Sequence, residues 1–183
     1  MNQIAPEPDR FFGYGSLVNL ATHSYPNAQP RCVQGWARAW VHRRGGTYAT
    51  LTAVPDPDSE IQGVTADVPH GDWRALDLRE AAYARKSLPC GTAIYAVEPQ
   101  TCMQGPERLP ILLSYLDVVI QGYEQQFGPG AGAQFIRTTR GWDTPVLNDR
   151  AAPLYPRAQD LSTVETAVVD SALVTLGCEI QPL

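Results

Sequence analysis

The hydrophobic positions of this chain change rhythm along its length, with short alternating runs first and longer helical stripes later. Phe11 to Tyr14 is an unbroken apolar and aromatic run, as expected of a strand covered on both faces. Cys32 to His42 and Thr47 to Val54 read as a hairpin pair across Gly45-Gly46, with Thr47, Ala49, Leu51 and Ala53 alternating onto one face. Pro55-Asp56-Pro57-Asp58 predicts a turn before another strand over Ile61 to Val68. Arg85 to Leu88 and Thr92 to Val97 read as strands, and Glu98 to Glu107 as a loop. Helical spacing then takes over. Leu112, Tyr115, Leu116, Val119, Tyr123 and Phe127 make one apolar face, with Pro110 in the first turn and Gly128-Pro129 as the stop. Gly130 to Gly132 reads as a flexible link, and Thr144 to Pro156 as an extended, proline-punctuated segment. A last helix opens on the capping pattern Ser162-Thr163-Val164-Glu165 and closes at Gly177. Val164, Val168, Ala172 and Leu173 are its expected docking residues. Strands followed by helices, with neither repeat nor linker, predict one α+β domain over residues 1–183.

Two local features carry chemistry. In Phe11-Phe12-Gly13-Tyr14-Gly15-Ser16-Leu17 a strand stops in a turn holding two glycines, a tyrosine and a serine. Glycines there permit positive φ and let another molecule approach the main chain closely. The turn also gathers backbone N–H groups and a hydroxyl, an arrangement suited to a carboxylate. The second feature is Gly71 to Tyr83, where Asp72 is the expected N-cap of a short helix. Trp73, Leu76, Glu80 and Tyr83 fall on one face of that helix, while Asp77 and Arg79 turn toward solvent. A lone carboxylate on an apolar stripe loses hydration, so its pKa is expected to rise above the usual value of about 4.3. That is the direction proton-shuttle chemistry needs. An ion pair of Glu80 with Arg85 or another arginine at the helix margin is the structural alternative.

Together the two features resemble the gamma-glutamylcyclotransferase-like superfamily, which includes ChaC-type glutathione-degrading enzymes and gamma-glutamylamine cyclotransferases. Tyr14, Gly15, Ser16 and Leu17 match its glutamyl-binding turn, and Glu80 matches its catalytic acid/base. Gly35 to Trp40 and Ile61 to Val64 are similar to its strands, so the resemblance runs from about Phe11 to Tyr95. Ala81-Ala82-Tyr83-Ala84-Arg85 after the Arg-Glu pair, in place of Gly-Tyr, looks closer to the smaller plant-type (AIG-like) branch than to ChaC. The resemblance implies a small mixed β-barrel with flanking helices and an intramolecular reaction without cofactor or metal. In that reaction the α-amino group of a gamma-glutamyl amide attacks the γ-carbonyl, giving 5-oxoproline and a free amine.

Composition adds little. The 183 residues, 44% hydrophobic and 18% charged, suffice for a sizeable core, and a net charge of -5 argues against nucleic acid as a partner. Met1 to Arg10 lacks the apolar core of a signal peptide. The apolar stretch Ile111 to Ile120 is too short to span a bilayer. These features predict a soluble, cytoplasmic protein acting on a small molecule. Cys32, Cys90, Cys102 and Cys178 lack metal-ligand spacing and are expected as reduced, mostly buried thiols. His23, His42 and His70 are expected as surface or turn residues.

Three further readings compete with turnover at Glu80. One is a ligand-binding or interaction module of the same fold without activity. In another, Ser16 is a hydrolase nucleophile, although the surrounding residues lack the G-x-S-x-G elbow. A dinucleotide site is weaker still, because Val18 stands where the third glycine of G-x-G-x-x-G belongs.

Overall fold

Phe11 and Phe12 point to opposite faces of one strand, and both are buried, at 0% and 1% exposure. That strand, β1 (Arg10–Gly13), is the centre of a computed structural model describing residues 9–89 and 91–183. The expectations for residues 1–8 and for Cys90 lie outside the described residues. β1 pairs antiparallel with β3 (Thr50–Asp67) and parallel with β5 (Thr92–Ala96). β2 (Gln29–Val41), β4 (Ala84–Ser87) and β7 (Thr139–Arg140) complete a six-stranded mixed sheet in the order β4-β5-β1-β3-β2-β7. A second, parallel sheet joins β6 (Ile111–Leu112), β8 (Val146–Asn148) and β9 (Ile180–Pro182). The α+β class is as expected. The strand order is linear, and among the described residues no pairing of β4 with β7 closes the barrel that the resemblance implied.

Two layers cover the sheet. Phe12, Leu51, Ile61, Val64 and Ile94 pack on one face beneath α2 (Leu113–Phe127), α3 (Ala131–Arg137) and α4 (Thr163–Leu176). Phe11, Leu17, Ala66, Ala93 and Tyr95 face the other way, toward Trp73 and Leu76 of the α1 region (Arg74–Arg79). Burial on both sides explains why β1 lacks polar alternation. No helix of the described residues is long and apolar enough to cross a membrane.

Several expectations need correction. Pro55 to Asp58 does not end a strand, since β3 runs through it as a bulge. Gln34 pairs with Glu60 and Trp36 with Pro55, so residues 56–59 face Gly35 alone, at φ +84°. Asp56 closes this excursion by accepting the Ser59 hydroxyl at 2.8 Å and the Asp58 N–H at 3.2 Å. Pro110 precedes α2, because Ile111 and Leu112 are drawn into strand pairing with β8. The flexible link at Gly130 to Gly132 is instead the start of α3, with Gly130 as its left-handed N-cap at φ +90°. Gly132 is needed within it because any Cβ there lies 2.6 Å from Ile120 Cγ2. The Ser162–Glu165 capping box forms as expected, and α4 docks through Val168, Ala172 and Leu173 together with Val169, while Val164 is exposed. Cys32, expected buried, is exposed on β2.

Candidate active site

The end of β1 and the end of α1 meet in one cavity of about 140 Å³. Its walls include Gly13, Tyr14, Gly15, Ser16 and Leu17 from the turn, Arg79 and Glu80 from the close of α1, and Leu51 of β3. Tyr83, Tyr95, Tyr115, Tyr155 and Arg157 complete the polar and aromatic lining. Tyr14, Gly15, Ser16, Leu17, Glu80 and Tyr83 therefore border the same space, whereas Trp73 and Leu76 of the expected helix face pack in the core.

Local structure fixes the turn. Ser16–Val18 is a single 3-10 turn, with the Val18 N–H donating to the Gly15 carbonyl at 3.0 Å. Gly15 does not use positive φ, contrary to expectation, since its φ is -114°. What it provides is close approach. A Cβ built there lies 2.6 Å from the Tyr115 hydroxyl and 3.4 Å from Leu51 Cδ2. Gly15→Ala is accordingly expected to push Tyr115 out of the cavity wall and to weaken small-ligand binding at least tenfold, about 1.4 kcal/mol. Calorimetric titration with a small carboxylate ligand, beside the parent protein, measures the loss. Tyr14 lends its main chain rather than its hydroxyl, which donates to the Tyr95 carbonyl at 2.5 Å. From behind, the Tyr14 carbonyl lies 2.9 Å from the Tyr123 hydroxyl, which in turn accepts from buried Arg38 at 3.0 Å.

Glu80 does not sit on the helix stripe. α1 ends at Arg79, and Glu80 is the C-cap, its N–H still donating to the Leu76 carbonyl at 2.8 Å. Asp72, the expected N-cap, accepts the Arg74 N–H at 3.2 Å but lies one position before the cap, which is Trp73. The Glu80 side chain is 15% exposed and lies 3.3 Å from Arg79. Burial raises its pKa, and the guanidinium groups of Arg79 and Arg157 oppose that rise. Desolvation outweighs the two cations, so the shift expected from the sequence keeps its sign.

Arg79 overturns its solvated assignment. Its side chain is 7% exposed and donates to the Thr22 carbonyl at 2.9 Å, Thr22 Oγ1 at 3.1 Å and Ser16 Oγ at 3.3 Å. One guanidinium thus ties the turn to the carboxylate. The ion pair considered for Glu80 is made with Arg79 at the helix end, while Arg85 pairs with Asp77 at 3.2 Å.

The opposite wall comes from later in the chain. Tyr115 lies in the first turn of α2, and its ring meets that of Tyr155 edge-on at 5.0 Å. Buried Asp149 holds the segment carrying Tyr155 and Arg157 by accepting the Ser114 N–H at 2.8 Å, the Ser114 hydroxyl at 2.5 Å and the Leu154 N–H at 2.9 Å. Arg150 adds a two-pronged bond to Asp117 at 2.7 and 2.8 Å. Of the extended segment Thr144 to Pro156, Tyr155 lines the cavity, whereas Asn148, Asp149 and Arg150 do not. Burial keeps Tyr83 and Tyr115 protonated, with pKa values pushed far above the usual phenol range.

No histidine lines the cavity among the described residues, so Ser16 has no imidazole beside it there. His23 is engaged elsewhere: Nε2 bonds the Leu17 carbonyl at 3.0 Å and Nδ1 accepts the Tyr25 N–H at 3.2 Å. That pair of contacts fixes a neutral Nε2–H tautomer, and burial lowers its pKa in the same sense.

No family profile and no curated protein sequence matches the chain. Solved structures do. A gamma-glutamyl cyclotransferase aligns over 90% of this chain and 99% of its own, at 13% identity and a TM-score of 0.51. An uncharacterized protein from Homo sapiens aligns over the same shares at 15% identity and a TM-score of 0.52. YkqA from Bacillus subtilis matches 75% of this chain and 57% of its own, at 16% identity and a TM-score of 0.54. At such identities the likeness is one of architecture, and the chain has the gamma-glutamylcyclotransferase-like fold.

Proposed function

We propose that this chain is a gamma-glutamyl cyclotransferase with Glu80 as its proton carrier. The observation that carries the reading is a buried carboxyl of raised pKa opening into the same cavity as the Gly13–Leu17 turn. Tyr14, Gly15, Ser16 and Leu17 form the glutamyl-binding wall, where turn amides and the Arg157 guanidinium receive the substrate α-carboxylate. The α-nitrogen, stripped of a proton by the Glu80 carboxylate, attacks the γ-carbonyl carbon. A ring C–N bond forms, and the C–N bond to the departing amine breaks as Glu80 returns its proton to that nitrogen. The second proton of the α-nitrogen exchanges with water, as does the one that completes the ammonium product. Because both reacting groups belong to one molecule, the protein contributes mainly by holding the glutamyl chain folded, an effect worth about 7–11 kcal/mol in well-oriented systems.

The test is incubation with gamma-glutamyl amides and chromatographic detection of 5-oxoproline. Its pH profile is equally diagnostic. The carboxylate is the active form, so kcat/KM is expected to rise with pH through a midpoint above the usual glutamate value of about 4.3. Arg79→Met removes a cation that favours the carboxylate, and the acid limb then moves to higher pH. A limb that stays put in this variant separates Glu80 from the titration observed.

A further inference from the structure

Beside the reaction cavity lies a second chamber of about 130 Å³. Leu51, Tyr83, Tyr115 and Tyr155 border both spaces, so the two abut across a largely aromatic wall. Tyr48, Ala49, Thr50 and Leu112 complete the second lining. Its chemistry differs from that of its neighbour. All three ionic side chains of the pair, Arg79, Glu80 and Arg157, belong to the first cavity, and no charged residue borders the second among the described residues. Tyr83 and Tyr115 are held as neutral phenols, and the Tyr83 hydroxyl is spent on the Leu51 carbonyl at 3.0 Å.

A gamma-glutamyl amide has two unlike ends. The α-amino and α-carboxylate groups need charged partners, which the first cavity supplies. The substituent on the γ-amide nitrogen points the other way. Resting on the cyclotransferase reading, we propose that the second chamber receives this substituent. The preferred substrates are therefore gamma-glutamyl amides of neutral aryl or branched alkyl amines, not gamma-glutamyl amino acids or peptides. A carboxylate beside the departing nitrogen gives up part of its hydration against tyrosine rings with no cation to meet it. An apolar ring suffers no such loss, and a dry cavity of about 150 Å³ accommodates benzene. The space thus fits one six-membered ring.

A matched pair of substrates tests this directly. gamma-Glutamylphenethylamide and gamma-glutamylphenylalanine differ by a single carboxylate. Phenylalanine is the less basic amine and the better leaving group, so intrinsic reactivity favours the amino acid. The expected result is a kcat/KM at least about tenfold higher for the phenethylamide, and any smaller ratio overturns the proposal. A second measurement uses Ala49→Leu, which adds bulk to the chamber without touching the reaction cavity. It is expected to lower the preference for gamma-glutamylphenethylamide over gamma-glutamylmethylamide by about tenfold or more; an unchanged preference places the substituent elsewhere and overturns the proposal. Failure of the parent reading looks different. No 5-oxoproline from any of the three compounds, or from glutathione, removes the cyclotransferase assignment and this specificity with it.

Discussion

Glu80→Gln is expected to lower the rate of 5-oxoproline release by about 10²–10⁴-fold, the range typical of a lost general acid–base group. Glutamine keeps the shape of glutamate and an oxygen within reach of Arg79, 3.3 Å away in the parent. What it lacks is a titratable proton. Stability should change little, by about 1 kcal/mol, because a half-compensated buried charge is exchanged for a neutral amide in the same space. Near-UV circular dichroism confirms that packing is retained, and substrate affinity separates binding from turnover. A loss of rate with little change in KM matches a group acting at the transition state. Full turnover by a folded Glu80→Gln protein sinks the assigned role outright.

The second large effect concerns stability rather than chemistry. Arg38 is 1% exposed and has no carboxylate partner among the described residues. It is satisfied by neutral groups: Thr139 Oγ1 at 3.1 Å, the Gln62 carbonyl at 3.0 Å, the Tyr123 hydroxyl at 3.0 Å and Thr138 Oγ1 at 2.5 Å. Its guanidinium carbon also lies 4.9 Å from the Phe135 ring centroid and 5.4 Å from that of Tyr123. Arg38→Ala opens a cavity and deprives several buried oxygens of a donor, so a loss of about 3–5 kcal/mol is expected in urea denaturation. Arg38→Met restores much of the volume and none of the donors, and should lose about 1–3 kcal/mol. Equal losses in the two variants point to hydrogen bonding alone. A negligible loss in both means that the surrounding oxygens find other donors.

How much of this was legible in the residues depends on whether the information was local. The β1 run, the capping box at Ser162 and the stop at Gly128 follow from short-range rules, and they appear where those rules put them. The Tyr-Gly-Ser turn and Glu80 were legible because each stands out against its own neighbours. Arg79 was misread because the wheel assumed a helix continuing through Tyr83, whereas α1 stops at Arg79 and the chain turns. Its three bonds to Ser16 and Thr22 reach across 57 to 63 positions, beyond any periodicity argument. Tyr115 was read as core packing from its apolar stripe, and only the fold reveals that its hydroxyl borders the turn. Arg157 had no signal at all. It follows a proline in an irregular segment, and its place depends on Asp149 gripping the start of α2.

That grip has a consequence for biosynthesis. The turn and the acid are both available once residue 80 has been made, yet Tyr155 and Arg157 arrive some seventy-five positions later. At elongation rates of about 5–20 residues per second, the ribosome runs several seconds ahead with the trough open on one side. During that interval Tyr83, Tyr95 and Leu51 lack their covering wall, and a nascent chain offers aromatic surface to chaperones or to other unfinished chains. Enclosure of the cavity is thus a late event in the life of each molecule, fastened by Asp149 and by the Arg150–Asp117 pair rather than by the sheet beneath it.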